Sequence, residues 1–313
     1  MSLFLGIDTS NYTTSVALYD SETGEMRQQK KLLPVKEGQL GLRQSDAVFH
    51  HTAHLHALFS ALTEDVDTKQ IAAVGASVRP RPLSGSYMPC FTVGENTAKI
   101  LSSALKVPFV GFSHQEGHIS AALFGSGRFD LFCSDFLAFH VSGGTTEAVL
   151  AKGGGCGFQC EIVAQTLDLN AGQAIDRVGL MLGLKFPCGA QLEQLALRNT
   201  EPVKVRPKLK GSDCCLSGVQ NLCQKLFDEG RDKPYIAAFC LEYIRTALSL
   251  MTDSLLEKYG ALPLVYAGGV MSNTIIKNSF TEKYNASFAP PVFSADNAAG
   301  IAYLCYRSQN NSD

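Results

Sequence analysis

Short apolar runs separated by glycine- and proline-containing breaks recur along the chain, and their spacing predicts strands alternating with helices. Residues 3–7 and 16–19 read as two strands of a hairpin whose tip, residues 8–15, is polar. Gly24 marks a further turn. Residues 42–62 carry apolar side chains at Val48, Leu55, Leu58, Phe59 and Leu62, as a helix does. A buried strand is expected over 71–78, a helix over 95–105, and a strand-like run from Pro108 to Phe112 that ends in Ser113. Residues 136–150 read as strand, glycine turn, strand, followed by a helix over 171–184 and a turn at Phe186-Pro187-Cys188-Gly189 that opens another helix. A long helix over 235–259 precedes a strand over 264–267, the pair Gly268-Gly269, and a helix capped by Ser272 or Asn273. Two hairpins with polar tips, each early in its half of the chain, point to an internal duplication.

Candidate chemistry sits where these elements meet. Ser113 is a good N-cap and Glu116 stands at capping-box spacing, so a helix starts there. His114 and His118, four apart, share one face of that helix. Their imidazoles could bind one transition metal with a carboxylate as third ligand, or be solvated or core histidines. His50 and His54 form a second such pair, on a helix face that borders a cleft. The first hairpin tip, with Asp8 and its hydroxyls, is either a phosphate-meeting turn or an ordinary polar one. Arg79 and Arg81 lie in a proline-stiffened loop, as an anion clamp or as surface arginines. Glycines at 143, 144, 268 and 269 allow close backbone approach to a phosphate or nucleoside. Asp176 is the acid of an otherwise apolar stretch, and Glu193 stands in the first turns of the next helix. Lys204, Arg206, Lys208 and Lys210 make a local positive loop, RNA-facing or merely solvated. Asp296, at a helix start, could complete a His-His-Asp site or cap the helix.

Composition narrows the class. A chain of 313 residues suggests two domains. Apolar content of 45% and charged content of 18% fit a soluble globular protein with a large core. Net charge is −2, so any RNA contact must be local. No apolar run approaches the roughly 20 residues that span a bilayer, and the N-terminus does not read as a signal peptide. Ten cysteines without a C-x-x-C pair are expected to be mostly buried reduced thiols of a cytoplasmic protein.

Taken together, six motifs resemble one family closely: Gly6-Ile7-Asp8-Thr9-Ser10, His114-Gln115-Glu116-Gly117-His118, Val141-Ser142-Gly143-Gly144, Ala171-Gly172-Gln173-Ala174-Ile175-Asp176, Ala267-Gly268-Gly269-Val270 with Asn273, and Asp296-Asn297-Ala298. The chain looks like TsaD, or Gcp, the tRNA threonylcarbamoyladenosine synthesis family once taken for glycoprotein endopeptidases. The resemblance implies an α/β fold of two ribonuclease-H-like lobes, of the actin, sugar-kinase and heat-shock ATPase superfold. It implies an N-terminal lobe of residues 1–112, with a helix over 296–313 packing back on it, and a metal- and nucleotide-binding lobe over 113–295. It implies that His114, His118 and Asp296 bind divalent iron or zinc. It implies that Ser142, Gly143, Gly144, Asp176, Gly189, Glu193 and Asn273 line a pocket for an adenine nucleotide or acyl-adenylate, with Asp8 as a catalytic candidate. It implies a tRNA substrate, a TsaB-like paralogue or a second copy as partner, and no membrane.

Four places depart from the family pattern. Tyr12-Thr13 stands where members carry Asp-Glu, Arg79-Pro80-Arg81-Pro82 where they carry Gly-Pro-Gly, Thr145 for a histidine and Cys188 for a glycine. These departures predict slow or absent threonylcarbamoyladenosine synthesis with metal and nucleotide binding retained. Three functions compete: the metal-dependent transferase, a non-catalytic or altered-substrate paralogue that binds nucleotide and a partner, and a small-molecule kinase or ATPase. The His pair disfavours the kinase. The absence of H-E-x-x-H disfavours a peptidase, since Glu116 sits two residues after His114.

Overall fold

The computed structural model describes residues 2–10, 12–34, 42–154, 157–294 and 298–310. It divides into two compact units, Met1–Ser134 with Lys152–Cys160 and Val292–Asp313, and Asp135–Ala151 with Glu161–Pro291.

The first unit opens with β1 (Leu3–Ser10), β2 (Thr13–Asp20) and β3 (Met26–Leu32). Then come α1 (Gln44–Leu62), β4 (Ile71–Arg79), α2 (Phe91–Leu105), β5 (Phe109–Ser113) and α3 (His114–Ser126). The sheet runs β3-β2-β1-β4-β5. The first three strands are antiparallel neighbours, while β4 and β5 are added in parallel. Leu5, Ile7, Val16, Leu18, Leu55 and Val74 are buried among its core residues.

The second sheet takes β6 (Asp135–Val141), β7 (Thr146–Gly154) and β8 (Gly157–Gln165). Helices α4 (Ala171–Met181) and α5 (Gly189–Ala196), a small ribbon of β9 (Leu209–Lys210) and β10 (Asp213–Cys214), α6 (Ser217–Asp228) and α7 (Lys233–Tyr259) follow. The chain then adds β11 (Leu264–Ala267), α8 (Thr274–Tyr284) and β12 (Ser287–Phe288). It ends with α9 (Pro291–Ser294) and α10 (Ala298–Asn310). The order β12-β11-β6-β7-β8 repeats the first sheet strand for strand, with β11 parallel to both β6 and β12. The expected duplication is therefore one of topology. At its core Tyr266 stacks on Phe139 at 4.7 Å and on Phe288 at 5.4 Å, and its hydroxyl meets that of Thr252 at 2.7 Å.

Local sequence explains the element ends. Asp232 accepts the Tyr235 N–H at the start of α7, Pro234 occupies its first turn, and Gly260 at φ 86° follows its last residue. Helix α10 lies on β1, β2, β4 and α3. Gly300 permits the close approach to α3, because a Cβ there would land on the Gly117 carbonyl. With α10 against it, α3 belongs to the first unit. No disulfide joins the described cysteines; burial pushes the Cys90 thiol up to about 11 and those of Cys214 and Cys305 up to about 12. No helix among the described residues is long and apolar enough to cross a membrane.

Candidate functional site

The His pair is presented as its spacing predicts. Ser113 caps α3 with a complete capping box: its hydroxyl accepts the Glu116 N–H, and the Glu116 carboxylate accepts the Ser113 N–H at 2.7 Å. Glu116 is 7% exposed and its other oxygen faces the Phe158 N–H at 3.4 Å. Its carboxylate is thus committed to the scaffold and does not join the histidines. The rings of His114 and His118 stand 4.7 Å apart, edge to face, on adjacent turns.

Asp8 corrects the reading of the first hairpin. The strands do not stop at the polar residues but continue through them, with Ser10 opposite Thr13. β-branched Thr9, Thr13 and Thr14 favour extended backbone, and tertiary partners take up the polarity of Thr9 and Thr14. Thr9 donates to the Cys90 carbonyl at 2.9 Å and accepts the Gly94 N–H at 3.0 Å; Thr14 meets His51 Nδ1 at 2.8 Å. The hydroxyls of Thr9 and Thr14 are therefore structural rather than a phosphate cradle. Asp8 is 1% exposed, inside the unit instead of at a tip. Its Oδ1 takes a hydrogen bond from the Ser77 hydroxyl and lies 3.1 Å from His114 Nδ1. Burial pushes its carboxyl up, but the neighbouring His114 ring and the bonds from His114, Ser77 and Ser10 outweigh this and hold it below the usual carboxylate range. A carboxylate only accepts, so Nδ1 carries the proton and Nε2 is the nitrogen of His114 that a metal would meet.

These donors fit a metal. A carboxylate on one ring nitrogen of a ligating histidine is the usual orienting partner, and imidazole suits zinc and iron. Among the described residues, no three His, Cys, Asp or Glu side chains converge as a metal site. Asp296, the third ligand implied by the resemblance, lies outside the described residues.

In the second unit a cavity of ≈ 370 Å³ is lined by Gly143, Gly172, Ile175, Asp176, Pro187, Gly189, Ala190, Glu193, Gly269, Val270, Ser272 and Asn273. Five of the seven pocket residues implied by the resemblance are among them: Gly143, Asp176, Gly189, Glu193 and Asn273. Ser142 and Gly144 belong to the adjoining turn, where the Ser142 hydroxyl accepts the Gly144 and Thr145 N–H groups at 3.2 and 3.1 Å. Each carboxylate is steered by a backbone donor. Asp176 accepts the Cys188 N–H at 2.8 Å, and Glu193 accepts the Thr274 N–H at 2.7 Å together with the Thr274 hydroxyl. Asn273 caps α8 through the Ile276 N–H at 3.1 Å. Gly268, at φ 102°, must be glycine, since a Cβ there would also collide with the Val141 backbone. A Cβ on Gly143, Gly189 or Gly269 meets nothing within 4 Å. Gly172, Ser272 and Pro187 also line this cavity; Gly172 lies inside the Ala171–Asp176 motif, and its close approach to Gly143 reveals its part.

Two sheets of the same five-stranded order define a member of the actin, sugar-kinase and heat-shock ATPase superfold. Component A of the (R)-2-hydroxyglutaryl-CoA dehydratase of Acidaminococcus fermentans shares this fold, with a TM-score of 0.56 over all of both chains at 16% identity. The chain belongs to the TsaD family, whose model, described as tRNA N6-adenosine threonylcarbamoyltransferase, matches residues 35–303. Proteins of that name from Archaeoglobus fulgidus and Dictyoglomus turgidum are similar to it. The first is 28% identical over 96% of this chain and 89% of its own length, the second 34% identical over 71% and 69%.

Proposed function

We propose that the protein is a metal-dependent, nucleotide-binding transferase that moves a threonylcarbamoyl-type acyl group from an adenylate to N6 of a tRNA adenosine. The carbonyl carbon forms a bond to N6, the bond to the adenylate phosphate oxygen breaks, and the N6 proton leaves. The observation that carries this reading is the capped His114–His118 pair with Asp8 on the Nδ1 side of His114, in a chain of the TsaD family. His114, His118 and Asp296 are assigned to one divalent iron or zinc ion, which when bound supplies a Lewis acid for the carbonyl oxygen. Asp8 orients His114; its burial and its ties to Ser77 and His114 argue against a role as the base. The cavity bordered by Gly143 and Gly269 is assigned to the adenine nucleotide, with Asp176 and Glu193 positioned to accept hydroxyl groups. A TsaB-like protein or a second copy is the partner in this reading.

A second reading, an altered-substrate or non-catalytic paralogue, draws support from the β1–β2 turn, where Tyr12 is exposed and no carboxylate stands at Tyr12-Thr13. Metal analysis of protein purified without chelators tests the shared foundation. His118→Ala should lose the metal under conditions where His54→Ala keeps it; equal metal in both contradicts the assignment.

A further inference from the structure

Four cations stand along one side of a segment in the second unit. From the segment after α5 through β9, Val205 and Leu209 pack against the core and Pro207 is buried, whereas Lys204, Arg206, Lys208 and Lys210 are all exposed. Burial alternates as it does along extended backbone, whose rise would place the Cα atoms of successive cations about 6.6 Å apart and spread the four over about 20 Å. No acid occurs between 204 and 210. The nearest acids along the chain are already engaged: Glu201 pairs with Arg231 at 3.2 Å, and Asp213, opposite Lys210 across the ribbon, accepts the Gln165 N–H at 2.8 Å. None of the four cations has an acidic partner among the described residues. The segment is also held in place, by Asn199 bonding to Glu201 at one end and the β9–β10 pairing at the other, so little ordering cost attends binding.

We propose that Lys204, Arg206, Lys208 and Lys210 form a docking strip for the sugar–phosphate backbone of RNA. The inference rests on the reading of the chain as a tRNA-modifying transferase. A chain of net charge −2 has no general attraction for polyanions, so a local row of unpaired cations carries the electrostatic footprint. The row is one side chain wide and evenly spaced, which matches a strand of regularly spaced phosphates. A membrane would meet a broader patch, and an acidic peptide rarely repeats its charge so evenly. Contacts of this kind set position along the RNA and leave base reading to other groups.

The test is the binding of an unmodified tRNA transcript to the full-length protein, followed by fluorescence anisotropy over a range of salt concentrations. Each phosphate contact contributes about 0.7–0.9 to the slope of log K against log salt. The fourfold variant K204Q/R206Q/K208Q/K210Q should therefore lose about 3 from that slope and bind at least tenfold more weakly at low salt. Its melting temperature and its adenine-nucleotide affinity should match the wild type, because all four side chains are exposed. A folded variant with wild-type affinity and slope overturns the strip while leaving the transferase reading standing. Wild-type protein that binds no tRNA at any salt overturns both. Phosphatidylserine vesicles or polyglutamate bound through the same four residues, more tightly than tRNA, overturn the choice of RNA.

Discussion

At the scale of single residues, the proposed chemistry depends on groups that hold other groups in place. Asp8 lies in a dry environment between Ser77 and His114, where its charge fixes the tautomer of the ring it faces. Asp8→Asn keeps the shape and removes the charge, so metal affinity should fall roughly 10- to 100-fold, measured by competition with a chelator. Unchanged affinity would show that His114 needs no such support. Gly269 tests the cavity. A Cβ there meets nothing within 4 Å, so Gly269→Val should fold normally and intrude only on a ligand. Nucleotide affinity should drop at least tenfold, about 1.4 kcal/mol; calorimetry showing wild-type binding would move the nucleotide elsewhere.

At the scale of elements, the capping box is the joint between β5 and the His pair. Glu116→Ala removes the acceptor for two N–H groups, those of Ser113 and Phe158, and should cost about 1–2 kcal/mol in urea unfolding. Helix α1 contributes a pH dependence through His51, which is fully buried against Thr14. Burial pushes His51 down from 6.5 to about 4. The folded state therefore resists a proton that the unfolded chain accepts. Stability is complete above 6.5 and declines as pH falls from 6.5 to about 4, by up to about 3 kcal/mol. His51→Asn should flatten that decline in melts recorded across this range; an equal decline in both proteins would assign it to other groups. Much of the element pattern was legible because long apolar runs, Gly pairs and the Ser113–Glu116 spacing each carry a strong local signal. Strand β3 was not, since Arg27, Gln28, Gln29, Lys30 and Lys31 give an edge strand no apolar period, and its place depends on pairing with β2. Helix α6 buries few apolar residues, among them Val219 and Cys223, too sparse a stripe to stand out. The polar run after Ile7 looked like a loop because the partners that bury Thr9 and Thr14, Cys90 and His51, come from distant parts of the chain.

At the scale of the whole molecule, one five-strand topology is used twice, and each copy carries a different part of the proposed chemistry. The first holds the His pair and Asp8; the second holds the glycine-bordered cavity and the cationic strip. The departures at Tyr12-Thr13 are expected to lower rate rather than binding, since losing a positioned acid or base typically slows a step by roughly 10²–10⁴-fold. The most direct test supplies metal-loaded protein with threonylcarbamoyl-adenylate and unmodified tRNA, and quantifies threonylcarbamoyladenosine by mass spectrometry. Slow or no formation is expected from the wild type, faster formation from Tyr12→Asp/Thr13→Glu, and none from His118→Ala. No product from the acid-restored variant, with tRNA and nucleotide both bound, would contradict the transferase reading.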